Sequence, residues 1–224
     1  MCGRYTLATP SDALVETFEV PEPSFPVEPR YNIAPGQFAP IVAADRRGRR
    51  MGLLRWGFLP ARAGGDRRPL VNARSETVDS LPSFRAAFAA RRCLVPADGF
   101  YEWRRSAASR KEAPTPFWFH PTGDGPVSFA GIWERSTGPE GEERYGFAII
   151  TTAANAEVAP VHDRMPLVVP GTHRSRWLDR STPLADVVHI LGSVPDHTFE
   201  ARRVSTRVNG TGEDDPSLIE AVDA

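Results

Sequence analysis

Val127-Ser128-Phe129-Ala130-Gly131-Ile132-Trp133 and Tyr145-Gly146-Phe147-Ala148-Ile149-Ile150-Thr151 decide how this chain folds. Both runs are short and rich in β-branched and aromatic residues, and the Gly, Pro and charged residues between them, Ser136 to Glu143, read as a hairpin or loop tip. The same pattern recurs at Phe38 to Ala44, Gly52 to Phe58, Leu94 to Ala97 and Phe117 to His120. Helical signals are fewer. Thr9-Pro10-Ser11-Asp12 predicts a helix start with Thr9 as N-cap, Pro10 in the first turn and Asp12 completing a capping box, after which Leu14 and Phe18 share a face. Phe84, Ala87 and Phe88 fit a helical face before Arg91, and Thr172 to Leu178 fits another short helix. Strands clustered among scattered helices favour an α+β fold over a doubly wound sheet. Twenty-two prolines imply loop-rich connections. There is no internal repeat and no linker; Arg62 to Arg68 reads as a loop tip.

At 224 residues and 41% hydrophobic content, one domain with one substantial core is the simplest reading. We place it at residues 1–209, and expect the polar stretch 210–224 to fray. No apolar run approaches the ~18 residues of a membrane span, and the start is too polar for a secretory signal, so the expected compartment is the cytoplasm. Two cysteines, Cys2 and Cys93, make no disulfide framework and lack the spacing of a zinc site. Cys93, ahead of the apolar run Leu94 to Ala97, reads as a buried inert thiol. The net charge of −1 conceals an asymmetry: residues 46–111 hold 16 Arg and Lys against 5 Asp and Glu, leaving 11 against 23 elsewhere. A basic segment of this kind suits a phosphate backbone if its charges converge on one face. All but Lys111 of the basic residues are arginine, a bias that genome composition can also produce.

Four segments carry candidate chemistry. Cys2 follows Met1 directly, so loss of one residue creates a 1,2-aminothiol, with an α-amine pKa near ~8 beside a thiol pKa near ~8.5. Such a pair traps aldehydes: the amine condenses to an imine and the thiol closes a five-membered thiazolidine. In Val71 to Thr77 an amide, a guanidinium and a carboxylate sit close together. Asn72 can hold an amine or a sugar hydroxyl while Arg74 meets a phosphate, although spacing alone fits Asn72 equally as a helix cap. Gly99-Phe100-Tyr101-Glu102-Trp103 embeds a carboxylate among aromatics. As a strand it sets Phe100 and Glu102 on one side and Tyr101 and Trp103 on the other. In an apolar pocket Glu102 is a proton donor and acceptor near neutrality; on an edge strand it is a solvated carboxylate. Pro160 to Pro166 packs His162, Asp163 and Arg164 together, which makes His162 the one of five histidines suited to proton transfer.

The order of these segments resembles one family. Met1-Cys2-Gly3-Arg4-Tyr5, Arg30-Tyr31-Asn32-Ile33-Ala34-Pro35-Gly36, Trp56-Gly57, Asn72 to Thr77, Arg91 to Trp103, Phe129 to Glu134 and His162 to Pro166 are similar to the blocks of the SRAP proteins, SOS-response-associated peptidases also called abasic-site processing proteins. The resemblance implies a single SRAP-type domain of mainly antiparallel β-sheets, with a barrel-like core and short flanking helices. It implies single-stranded DNA containing an abasic site as the partner, with no membrane, no metal and no organic cofactor, and a nucleoid-associated location in a bacterium. Cys2, freed of Met1, would form a thiazolidine crosslink with the ring-opened sugar and shield the lesion. Asn72 would orient the Cys2 amine and the sugar, Glu102 would shuttle protons, and His162 would assist proton transfer to the sugar oxygen and reversal. Arg4, Arg74 and Arg164 would meet phosphates, Asn32, Pro35 and Trp56 would shape the groove, and Arg85 would join them. Where family members place tryptophan after Trp-Gly-x-x-Pro, this chain continues Ala61-Arg62-Ala63, so a stacking wedge would fall to Arg62.

Two other readings use the same residues. A thiol peptidase, acting on its own N-terminus or another chain, would pair Cys2 with His162 and use Asn72 as oxyanion donor, and would need the thiol but not the amine. A pure single-strand binding module would need neither Cys2, Glu102 nor His162.

Overall fold

The computed structural model describes residues 2–61, 68–106, 112–138, 140–192 and 194–223. Its strands are β1 (Tyr5–Leu7), β2 (Arg30–Ile33), β3 (Phe38–Asp45), β4 (Gly48–Trp56), β5 (Asn72–Arg74), β6 (Arg92–Ala97), β7 (Gly99–Arg104), β8 (Thr115–Pro121), β9 (Val127–Thr137), β10 (Glu143–Ala153), β11 (Arg164–Pro166) and β12 (Phe199–Arg203). The helices are short: α1 (Ser11–Phe18), α2 (Arg85–Ala90), α3 (Arg174–Leu178) and α4 (Leu184–Ile190). None of the described helices is long and apolar enough to cross a membrane.

The two runs that opened the sequence reading form the β9–β10 hairpin, paired from Glu143↔Thr137 to Ile149↔Gly131. Because β10 also pairs with β4, and the order continues through β3 and β6 back to β9, five strands close into a barrel. Closure removes the unpaired edges an open sheet of this composition would expose. Most pairings are antiparallel, but β10 runs parallel to both β4 and β5. A second, wholly antiparallel sheet has the order β12-β8-β7-β1-β2. The α+β class and the barrel-like core expected from the sequence are both present.

Aromatic side chains join the two layers. Tyr5 of β1 packs edge-on to Trp56 at 5.2 Å and to Phe129 at 6.2 Å, and Phe100 of β7 meets Phe119 at 5.1 Å and Phe129 at 6.1 Å. Each fully buried ring contributes about 1.5–3 kcal/mol, so this chain of contacts fixes β1 and β7 against the barrel. α1 buries Leu14 and Phe18, and α2 buries Ala87 and Phe88, as their spacing predicted.

Two expectations change, and the alternatives for Asn72 are decided. α1 has Pro10 at its N-cap position and no side-chain cap, because Thr9 is drawn away: its hydroxyl donates to Asp98 Oδ1 at 2.5 Å and its N–H to Asp98 Oδ2 at 3.0 Å. Asn72 begins a strand, not a helix. Among the described residues of the basic segment, several arginines are spent inside the fold and are not available to a groove. Buried Arg92 donates to the carbonyls of Trp177, Phe88, Ala89 and Asp179, Arg91 pairs with Glu134, and Arg49 reaches Glu19, Phe18 O and Ser175. Finally, the stretch expected to fray docks on the second sheet. Leu218, in a 3₁₀ turn over Pro216–Ile219, is buried with Val204, Val208 and Tyr101.

Candidate active site

The register of β1 on β7, Tyr5↔Phe100 and Thr6↔Gly99, carries the residues before Tyr5 toward Glu102. The Tyr101 N–H donates to Arg4 O at 3.0 Å and extends this pairing. From the other side, the C-terminal half of β10 is flanked by β5, with Ile149↔Asn72 and Thr151↔Arg74, and by β11, with Ala153↔Arg164. Segments 72–74 and 162–166, distant in sequence, thus become neighbours of one strand.

Cys2 is fully buried, and its thiol approaches Arg4 O at 3.9 Å. Burial pushes the thiol pKa well up, and the nearby Glu102 carboxylate raises it further, so Sγ keeps its proton at neutral pH. Asn72 Nδ2 donates to Cys2 O at 2.8 Å. Its Oδ1 is buried with no hydrogen-bond partner among the described residues, an acceptor facing the interior. Trp56 Nε1 donates to Val71 O at 2.9 Å and so fixes the strand entering Asn72.

Glu102 is 3% exposed, and desolvation raises its carboxyl from the ordinary 4.5 to about 7. The alternatives left open by the sequence are resolved here: β7 lies between β1 and β8, so Glu102 is on an interior strand and not a solvated edge. Its neighbours divide as the strand alternation required, Phe100 entering the main core while Tyr101 and Trp103 join the smaller cluster. His162 is half-buried, and desolvation lowers its pKa, opposed by the Asp163 carboxylate. Its Nδ1 lies 2.9 Å from the Arg164 backbone nitrogen and 3.0 Å from Asp163 Oδ1. The backbone N–H is an obligate donor, so Nδ1 is the acceptor and the neutral ring carries its proton on Nε2. The exposed Asp163 then acts as a nearby charge.

Gly3, Arg4, Glu102 and His162 line one cleft of about 490 Å³. Trp103, Arg105 and Asn209 also line it, and sequence reasoning missed all three. Trp103 and Arg105 flank Glu102 and were within reach of that motif; Asn209 ends the 3₁₀ turn Thr206–Asn209, just ahead of the docked C-terminal stretch, and carries no local signal. Among the described residues no group of three or more His, Cys, Asp or Glu side chains could hold a metal ion.

The expected DNA contacts are scattered more widely. Arg4 is in the cleft wall. Asn32 and Trp56 are wholly buried; Asn32 Oδ1 accepts from Arg4 and Trp56 Nε1 donates to Val71 O at the entry to β5. Pro35 is exposed in the turn between β2 and β3, and Arg74 and Arg85 are exposed but do not line the cleft. Arg164 pairs with Glu76 through both guanidinium nitrogens, at 2.5 and 2.9 Å, and also donates to Thr151 O at 2.6 Å. Arg62 lies outside the described residues. Cys93 is buried on β6 with its thiol pKa pushed up by desolvation, in keeping with an inert role.

The model of the SOS response associated peptidase (SRAP) family matches residues 1–211. The chain belongs to the SRAP family. It is 35% identical over 226 residues to abasic site processing protein YoqW of Bacillus subtilis, covering 99% of this chain and 100% of that one. It is 33% identical over 226 residues to abasic site processing protein YoaM of the same organism, at 99% and 98% coverage. A crystal structure of a Bacteroides thetaiotaomicron protein superposes with a TM-score of 0.88 over 99% of this chain and 100% of that one; at 21% identity this shows the shared fold. In this SRAP chain a thiol from the segment before β1, an amide from β5, a carboxylic acid from β7 that titrates near neutrality and an imidazole from the turn before β11 are brought into one region. Such a set can move protons in both directions without a metal ion.

Proposed function

We propose that the chain processes abasic sites in single-stranded DNA, and that Cys2, once Met1 is removed, forms a thiazolidine crosslink with the ring-opened sugar. The abasic-site processing named for its relatives supports the substrate class. The observation that carries the chemistry is a cleft lined by Gly3, Glu102 and His162, with the buried Cys2 directly before Gly3 and close enough to Glu102 for the carboxylate to raise its thiol pKa, and with Glu102 itself poised at about 7.

The Cys2 amine adds to the sugar aldehyde, and the carbinolamine loses water as Glu102 or His162 delivers a proton to the departing hydroxyl. Sulfur then attacks the iminium carbon, the Sγ proton passes to the Glu102 carboxylate, and the C=N electron pair returns to nitrogen. One water is released and no external oxidant or reductant is consumed. A carboxyl near half-ionisation at pH 7 suits both proton transfers. Asn72 keeps the Cys2 carbonyl fixed, and its buried Oδ1 is free to accept a hydrogen bond from the amine or a sugar hydroxyl. The thiol's raised pKa fits a nucleophile deprotonated only as it attacks. An ion-paired peptidase cysteine has a lowered pKa instead.

Mature protein mixed with single-stranded DNA bearing one abasic site should give a band that survives denaturing electrophoresis. Cys2→Ala should abolish it, and so should an uncleaved tag that keeps the thiol but blocks the amine. A stable adduct from the blocked protein would overturn the mechanism.

A further inference from the structure

We infer that the C-terminal stretch from Val208 to Asp215 is a positioning clamp that presents the Arg4 guanidinium to a DNA phosphate, with Asp214 as its lock. The proposal rests on the reading of the cleft as a DNA site, and Asp214 lies beyond the stretch matched by the family model.

β2 is the outer strand of the five-stranded sheet, so its free edge has backbone N–H groups to satisfy. Asp214 meets that need. Its Oδ1 accepts from the N–H of Tyr31 at 2.5 Å and of Asn32 at 2.9 Å, while Oδ2 pairs with Arg30 Nε. The Asn32 side chain then bridges inward and outward: Nδ2 donates to Gly210 O at 2.8 Å and Glu213 O at 2.7 Å, and Oδ1 accepts from Arg4 Nη1 at 2.7 Å. Arg4 is gripped by the same stretch, Nη1 donating to Val208 O at 2.6 Å and Gly210 O at 3.2 Å, and Nη2 to Asn209 O at 3.1 Å.

The pattern of these bonds gives the clamp a use. They engage both Nη1 hydrogens and one on Nη2, leaving the Nε–H and the other Nη2–H. No described residue takes these donors, and a planar guanidinium with donors to spare suits a phosphate. Asn209 Oδ1 also accepts from Trp103 Nε1 at 2.7 Å, so the clamp steadies the cleft wall beside Glu102. Leu218 and Val208 fasten it by packing against Tyr101. An arginine pre-set in this way loses less side-chain freedom on binding than a solvated one.

The test is a double-mutant cycle on noncovalent affinity. It uses labelled single-stranded DNA carrying a tetrahydrofuran analogue of the abasic sugar, which has no aldehyde. Asp214→Asn and Arg4→Gln should each weaken binding about tenfold, the scale of one charge-assisted hydrogen bond, and the double variant should be no weaker than Arg4→Gln alone. With true abasic DNA at saturation, Asp214→Asn should slow crosslinking by less than about twofold, a split that general loss of structure would not give. Should Asp214→Asn lower the folded fraction, Asp214→Glu takes its place with the same expectation. Wild-type affinity in the Asp214 variant, or a loss that adds in full to that of Arg4→Gln, overturns the clamp. If the wild-type protein does not bind the analogue, the DNA reading itself fails.

Discussion

Replacing Glu102 by glutamine should make the protein more stable and less active, and the stability gain should appear only above a defined pH. Glu102 is buried on β7, and desolvation lifts its pKa from 4.5 to about 7. An acid whose folded-state pKa lies above its unfolded value binds more protons when folded. Its contribution therefore falls as pH rises through the interval from 4.5 to about 7, and is level outside it. At about 1.4 kcal/mol per pH unit the gap amounts to about 3 kcal/mol. Below pH 4.5 both variants are neutral and nearly isosteric, so their stabilities should agree. Above pH 7 the wild-type protein carries a desolvated carboxylate and Glu102→Gln does not, so the variant should be ahead by about 3 kcal/mol, or roughly 6–12 °C in Tm. Urea denaturation of both proteins from pH 4 to 9 measures this directly. Crosslink formation should fall about 100-fold or more, because an amide cannot relay a proton. A difference in stability that does not change with pH, or a variant that is less stable at pH 8, would refute the reasoning.

Arg92 donates to four main-chain carbonyls that bind α2 and α3 to β6, so Arg92→Met should cost about 3–5 kcal/mol in urea denaturation, with DNA affinity per folded molecule unchanged. A Cβ on Gly131 would lie 2.8 Å from Cys93 Sγ and 3.1 Å from Val95 Cγ2. Gly131→Ala should thus destabilise by about 1–3 kcal/mol. Combined with Cys93→Ala it should cost less than the two single changes added, and strict additivity would show that the thiol is not the obstacle. His162→Ala should slow crosslink formation or reversal in a gel time course while binding is largely retained; affinity falling in step with rate would assign it a binding role instead.

Three strands of the barrel, β3, β9 and β10, were legible from runs rich in apolar and β-branched residues. Val127 to Trp133 and Tyr145 to Thr151 appear within β9 and β10, and Phe38 to Ala44 within β3. Asn72 could be a cap or a strand residue by spacing, and only the parallel pairing with Ile149 decides it. The Thr9 cap failed for a long-range reason, since Asp98, at the junction of β6 and β7, competes for the same hydroxyl. β1, β2 and β12 escaped notice because they are short and carry charged or polar residues; they are held by register and not by composition. Charge counting could not tell Arg92, wholly engaged with carbonyls, from Arg74 at the surface, because the two differ only in tertiary surroundings. The polar C-terminal stretch concealed Leu218, which packs on Tyr101 of β7, and Asp214, which bonds to Arg30, Tyr31 and Asn32; all four of these partners lie more than a hundred residues away. Cys2, Asn72, Glu102 and His162 were named from their motifs and the family resemblance, while the cleft that Glu102 and His162 share with Asn209 emerged only from the fold.

The most direct test of the account is the mass and sequence of the joined peptide. Mature protein is incubated with abasic single-stranded DNA, digested with protease and nuclease, and fragmented in a mass spectrometer. The account predicts that the sugar remnant sits on the N-terminal peptide beginning at Cys2, with one water lost overall and both nitrogen and sulfur of Cys2 bonded to the same carbon. A remnant on any other residue, or on Cys2 through sulfur alone with the amine free, would contradict it.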